Sequence, residues 1–177
     1  MYNVASAEEE INGLFGPVNL QIIPMTSQPS PLKQVAEEIA LLSRELSYTG
    51  GLIFACLEKP MESLKAGRAP RTLGLSVPIQ QAEELNRSAL EILDELRAKS
   101  ADFGLHAQKI SPAPFGELIR STEHECAFWQ AFCQRSQILL KKLALIAELE
   151  KLSPLGRTPI LDAWEEVRAL AIPPTQK

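Results

Sequence analysis

A regular apolar stripe over residues 32–56 is the feature of this sequence that most constrains its fold. Its positions recur three or four residues apart and are, in order, Leu32, Val35, Ile39, Leu42, Leu46, Thr49, Ile53 and Cys56. This spacing gives an α-helix one apolar face. The stripe keeps its phase across Gly50 and Gly51, which favours one continuous helix over 31–58 with a neighbouring backbone packed close to the glycines. Pro60 would end or kink that helix. The alternative is two helices that meet in a turn at the glycines.

Proline clusters divide the rest of the chain into further helical segments. Proline disrupts the interior of a helix but suits its first position. Ser30 followed by Pro31, and Thr158 followed by Pro159, therefore each match the N-cap and first position of a helix. The four segments predicted as helices are 31–58, 77–101, 114–152 and 158–171. Four amphipathic helices favour an all-α fold, an antiparallel helical bundle.

Residues 1–30 are the least regular part of the sequence. Gly13, Gly16 and Pro17 would stop any short helix there, and apolar residues fill about every second position of 18–23. A lone strand has no partner for its backbone hydrogen bonds. We therefore expect 18–23 to lie as extended chain over a groove of the bundle. The chain divides into an irregular N-terminal segment, 1–30, and a single helical-bundle domain, 31–172.

Composition excludes several classes of protein. The 177 residues carry a net charge of −4, whereas binders of nucleic acid or of anionic membranes need clustered basic residues. No run approaches the roughly 20 apolar residues of a membrane-spanning helix, and Glu8, Glu9 and Glu10 occupy the place of a basic signal-peptide region. Three cysteines are too few for a disulfide framework and fit a reducing compartment. We expect a cytoplasmic protein that does not bind membranes.

Side chains with catalytic or metal-binding chemistry do not form a recognisable set. His124, Cys126 and Cys133 lie within ten residues, but on one helix the two cysteines would stand about 10 Å apart, too far to share a metal ion. Most carboxylates fall off the apolar stripes, and no nucleophile elbow or phosphate-binding glycine loop occurs. We therefore predict no metal, no cofactor and no enzymatic activity.

Two small basic clusters raise the question of nucleic-acid binding. Lys65, Arg68 and Arg71 form the first cluster, and Lys141 and Lys142 form the second. Neither is interleaved with aromatic residues, and recognition of nucleic acid usually needs a broader basic stripe or a stacking platform. The composition therefore disfavours a nucleic-acid-associated factor that uses the 65–71 loop, which stays an alternative hypothesis.

The second half of the predicted 114–152 helix carries more apolar surface than one core requires. Counted at 100° per residue from Ile138, the residues Leu145, Leu149 and Leu152 fall within about 40° of it, and the whole apolar arc spans about 240°. One core needs an arc of only about 100°. Ile138, Leu145, Leu149 and Leu152 therefore form an extra stripe that needs a cover. The cover is the chain's own 158–171 helix, its 18–23 segment, or a partner such as another protein or a second copy of the chain.

These observations favour a non-enzymatic protein-interaction module. It would bind its partner through the extra stripe, as an adaptor, a chaperone or an inhibitor of the immunity-protein kind. A second hypothesis is a bundle that holds a small apolar ligand between its helices, near Phe54, Phe128, Trp129 and Phe132.

Overall fold

In the computed structural model, residues 31–110 and 115–171 are described, and they form four helices joined by short connections. The helices are α1 (Pro31–Lys65), α2 (Ser76–Ile110), α3 (Gly116–Ile146) and α4 (Pro154–Ala171), with one turn of 3-10 helix, Pro70–Leu73, between α1 and α2. The described ranges contain no strand, which confirms the all-α bundle. The predictions for 1–30, including the extended stretch at 18–23, lie outside the described residues.

Contacts between neighbouring helices show that the helices alternate in direction. Lys99, late in α2, donates a hydrogen bond of 2.6 Å to Glu38, early in α1. Phe115, just before α3, packs edge-on against Phe103 of α2, with ring centroids 5.5 Å apart. Lys142 near the end of α3 donates to the carbonyl oxygen of Pro159 near the start of α4, at 2.9 Å. The bundle is therefore antiparallel from helix to helix.

Helix α1 is continuous through both glycines, as the phase of its stripe predicts. A Cβ atom added to Gly50 would lie 2.6 Å from Cη2 of Trp129, so the glycine makes room for an indole ring of α3 rather than for the neighbouring backbone that we expected. The predicted end at residue 58 is too early. Pro60 lies inside the helix, and the stripe continues beyond it through the buried Met61 and Leu64. The burial of these side chains offsets the roughly 3 kcal/mol that an interior proline costs.

The ends of the other three helices also depart from the predicted limits. Helix α2 continues past residue 101 to Ile110, because Phe103 and Ala107 extend its buried stripe. Helix α3 ends at Ile146 rather than at 152, and α4 begins at Pro154 rather than at 158. The two shifts are linked, since the chain leaves α3 early and uses the residues gained to start α4 one turn sooner.

The start of α4 uses a different cap from the predicted one. The hydroxyl of Ser153 accepts a hydrogen bond of 3.1 Å from the backbone N–H of Gly156 and so caps the helix, and Pro154 takes the first position. Thr158, the predicted cap, lies within the helix, where its hydroxyl donates to the carbonyl oxygen of Pro154. Both Ser-Pro and Thr-Pro match the same signal, and the chain uses the first.

The length of α4 divides the bundle into two parts. Its 18 residues span about 27 Å, whereas the 35 residues of α1 span about 52 Å. Along α4, Phe54 of α1 stacks on Trp164 with ring centroids 4.8 Å apart. Among the described residues, the bundle therefore has four helices at the end where α4 starts and three at the end where α1 starts. The largest fully buried side chains are Trp164, Phe103, Phe132, Leu46, Ile53, Leu57, Met61, Leu64, Leu75, Leu93, Leu96 and Leu139.

Candidate interaction surface

The α1–α2 and α3–α4 connections meet at one end of the bundle. We call this end, residues 60–80 and 141–160, the turn end. The backbone N–H of Arg71 donates a hydrogen bond of 3.1 Å to the carbonyl oxygen of Leu149, and its guanidinium pairs with Glu150 at 2.8 Å. Arg157 donates to the carbonyl oxygen of Leu152 at 3.3 Å. The two Arg71 contacts join the connections to each other, whereas the Arg157 bond links the first turn of α4 to the connection that precedes it.

Large apolar side chains are exposed on this surface. Leu145, in the last turn of α3, is 82% exposed, Leu149 in the connection is 42% exposed, and Leu155 in the first turn of α4 is 87% exposed. Val77, in the first turn of α2 at the same end, is 60% exposed. Single exposed leucines are ordinary on protein surfaces, but several at one end of a small bundle are typical of an interaction site. We call Leu145, Leu149 and Leu155 the exposed leucines.

The structure places the four residues of the predicted stripe in three different settings. Ile138 is 45% exposed on α3, about two turns before Leu145. Leu149 is exposed but lies beyond the helix, and Leu152 is half-buried against the core. The angular positions were calculated for a helix that continues to residue 152, whereas α3 ends at Ile146. They therefore apply only to Ile138 and Leu145. The four residues do not form one continuous helical stripe.

Helix α4 does not cover Leu145. It packs into the core through Ile160, Ala163, Trp164 and Val167, while Arg135 on α3 pairs with Glu166 at 2.7 Å along the seam between the two helices. Leu139, Leu140, Leu143 and Ile146 are the buried residues in the last two turns of α3. The sequence left open whether the fourth helix covers the extra stripe. In the structure this helix leaves Leu145 uncovered.

Leu155 and Val77 belong to this surface but were not predicted. Each lies in the first turn of a helix, next to a proline that fits that turn. The signal for Leu155 was present in Ser153 and Pro154, which mark a helix start as well as Thr158 and Pro159 do. A helix predicted to start at Pro154 would place Leu155 in its first turn, outside the stripe that faces the core.

Charge at the turn end has the opposite sign to the charge of the whole chain. Residues 60–80 and 141–160 contain seven basic and three acidic side chains, a net charge of +4, whereas the whole chain carries −4. The basic residues are Lys65, Arg68, Arg71, Lys141, Lys142, Lys151 and Arg157. The two basic clusters noted in the sequence are thus brought to the same end of the bundle. The exposed leucines lie at this same end, and we call the seven basic residues the basic rim.

The four aromatic residues of the ligand-binding hypothesis lie in two separate groups. Phe54 stacks on Trp164, while Phe128, Trp129 and Phe132 follow one another along α3 with ring centroids 5.1 and 5.4 Å apart. Phe132 is fully buried, and the ring of Trp129 occupies the space left by Gly50. Within the described residues these rings pack on the core and on each other.

Two cavities open instead between α2 and α3. The larger, of about 600 Å³, is lined among others by Arg97, Leu105, Ile119 and Cys126, and the smaller, of about 250 Å³, by Asn86 and Leu140. None of the four aromatic residues lines either cavity. The side-chain oxygen of Asn86 is buried and finds no hydrogen-bond partner among the described residues.

The buried cysteines are poor nucleophiles. Burial raises the pKa of the Cys126 thiol, although the nearby Arg97 opposes this shift, and burial raises the pKa of Cys133 to about 11. Both thiols are therefore protonated at neutral pH, and the thiolate is the reactive form. In the described ranges, no three His, Cys, Asp or Glu side chains come close enough to hold a metal ion.

None of the described helices combines the length and the apolar character that crossing a bilayer requires. Comparison of the chain with protein family models, with curated proteins and with solved structures gives no match.

Proposed function

We propose that this protein is a non-enzymatic, cytoplasmic interaction module that binds another protein through the turn end. One observation carries the proposal: three leucines are exposed at an end of the bundle where basic residues outnumber acidic ones, on connections that Arg71 joins to each other. Such a module serves as an adaptor, a chaperone or an inhibitor. The location rests on the three free cysteines, which suit a reducing compartment.

The make-up of the surface favours a protein partner. Protein interfaces bury a few apolar anchors at their centre and surround them with a polar rim. Complete burial of a fully exposed leucine contributes about 1.5–3 kcal/mol, and the three leucines together expose the equivalent of about two such side chains, so their burial supplies about 3–6 kcal/mol. Association itself costs about 4–15 kcal/mol, so the leucines alone do not give tight binding. The partner must also use the charged rim.

Nucleic acid fits the same surface less well. Glu62, Glu148 and Glu150 lie among the basic residues of the turn end, and Arg71 is already paired with Glu150. The turn end contains no aromatic residue, so it offers no platform on which bases could stack. Exposed leucines contribute little to contacts with phosphates, whereas exposed apolar patches are typical of protein interaction sites.

The test is affinity capture from the native host, with the protein compared against two double variants. Leu145→Ser/Leu155→Ser removes the two most exposed leucines of the turn end. Leu41→Ser/Leu105→Ser removes two leucines that are each 60% exposed elsewhere on the bundle, and so serves as the matched control. Because all four side chains are largely exposed, both variants should keep the thermal stability of the parent.

We expect one captured protein to be lost with Leu145→Ser/Leu155→Ser and retained with the control. Bound material whose recovery falls steeply with salt and that nuclease digestion removes would instead indicate nucleic acid. Equal capture by both double variants would show that the turn end is not the binding surface.

A further inference from the structure

We infer that residues 8–15 of the chain itself bind to the turn end, over the exposed leucines. This inference deepens the proposed function and rests on the same surface. The surface fits an acidic run followed by apolar residues, and residues 8–15 of this chain are such a segment.

Charge and apolar character are complementary between the two parts. Residues 1–30 contain three acidic residues, Glu8, Glu9 and Glu10, and no lysine, arginine or aspartate. Ile11, Leu14 and Phe15 follow directly. Opposite the segment, the turn end offers a net charge of +4 around the exposed leucines. Carboxylates can therefore meet the basic rim while the apolar residues cover the leucines.

The length of the chain before α1 allows the contact within one molecule. Residue 31 lies at the opposite end of the bundle, so the segment must cross about 52 Å, the length of α1. Phe15 is 16 residues before Pro31 and reaches about 53 Å in extended chain, and Glu8 at 23 residues reaches about 76 Å. These lengths are upper bounds, so the acidic residues and Ile11 reach the turn end with slack, whereas Phe15 reaches it only when the chain between it and Pro31 is fully extended.

The same distance excludes the other apolar stretch of the N-terminal region as the cover. Residues 18–23 are 8–13 residues before Pro31 and reach only about 26–43 Å. They also carry no charge to pair with the basic rim. Helix α4 leaves Leu145 exposed. Residues 8–15 combine the required reach, charge and apolar character.

The test is carbodiimide cross-linking of the full chain followed by peptide mass spectrometry, because this reagent joins carboxylates to amines in direct contact. In the monomer fraction we expect Glu8, Glu9 and Glu10 to be linked to lysines of the turn end, namely Lys65, Lys141, Lys142 and Lys151. Leu145→Ser/Leu155→Ser keeps every reactive group and should lower the yield of these links at least threefold. Leu41→Ser/Leu105→Ser should leave the yield unchanged.

Three results would overturn the inference: links from residues 8–10 only to Lys33 and Lys99 near the start of α1, links found only in dimers, or equal yields from both double variants. The cross-linking requires no partner, so its failure is separable from failure of the proposed function. If the links are absent while Leu145→Ser/Leu155→Ser still loses its captured protein, the turn end binds a partner but not residues 8–15.

Discussion

Gly50 and Gly51 are adjacent in the sequence but have different neighbours. A Cβ atom at Gly50 would collide with the indole of Trp129, whereas a Cβ at Gly51 meets nothing within 4 Å. Glycine in a helix interior costs about 1 kcal/mol relative to alanine because it loses more backbone freedom on folding. At Gly50 the close packing of α1 against α3 offsets this cost.

The two glycines therefore predict opposite effects of the same substitution. Gly50→Ala forces Trp129 to move and should lower the free energy of unfolding by about 1–3 kcal/mol. Gly51→Ala should raise it by about 1 kcal/mol, since it adds helix propensity without a clash. Equilibrium urea unfolding of both variants measures the difference. Equal effects would mean that Trp129 does not occupy the space beside Gly50.

Burial of the cysteine thiols predicts how their reactivity and the stability of the fold depend on pH. At pH 7.5 the buried Cys126 and Cys133 should react with a thiol reagent far more slowly than the half-exposed Cys56. Cys133 has a pKa of about 11 in the folded chain against an ordinary value of 9. Above pH 9 the unfolded chain releases this proton while the folded chain keeps it, so stability should fall between pH 9 and 11.

The Cys133 variant provides the control for that pH dependence. Cys133→Ala removes the buried thiol and should flatten part of the decline, after allowance for its own loss of packing. Urea unfolding at pH 8, 9.5 and 10.5 compares the two chains. An identical decline in both would remove Cys133 as its source.

At the scale of elements, the start of α4 offers a direct comparison of two candidate caps. Ser153→Ala removes the hydroxyl that accepts the N–H of Gly156 and should cost about 1 kcal/mol. Thr158→Ala removes only a hydroxyl inside the helix, which bonds the carbonyl oxygen of Pro154, and should change stability by less than about 0.5 kcal/mol. A larger loss for Thr158→Ala in urea unfolding would place the cap where the sequence pattern put it.

The existence of the helices could be predicted from the sequence, but most of their ends could not. The stripe through Leu46 and Ile53 gave the buried face of α1, because spacing determines which side chains share a face. The helix was predicted to end before Pro60, but the burial of Met61 and Leu64 outweighs the local cost of proline, and the helix continues to Lys65. Packing between distant residues decides such cases, and that information is absent from local pattern.

The exposed apolar surface at the turn end was partly predictable for the same reason. Leu145 was identified because its helical position depends only on spacing within α3. Leu149 and Leu152 were counted on a helix that ends before them, and Leu155 was missed with the true start of α4. Both basic clusters lie at one end of the bundle because the helices are antiparallel. Predicting this requires the lengths of the helices, which the sequence pattern did not give correctly.

At the scale of the whole molecule, the bundle combines a buried core with an exposed apolar surface at the turn end, which we propose as the binding surface. The turn end carries the basic rim and the exposed leucines, whereas most acidic residues of the chain and most of the buried core lie elsewhere. Leu140 and Leu145, five residues apart on α3, represent the two roles. Leu140 is 2% exposed, and Leu145 is 82% exposed.

The most direct test of this division compares Leu140→Asp with Leu145→Asp, with thermal melting and partner capture measured on each. A carboxylate at Leu140 is buried without a partner and should cost several kcal/mol, enough to unfold a marginally stable domain. Leu145→Asp should melt as the parent does and lose its captured protein. If both variants are destabilised alike, or if Leu145→Asp keeps its partner, the turn end is not the interaction surface.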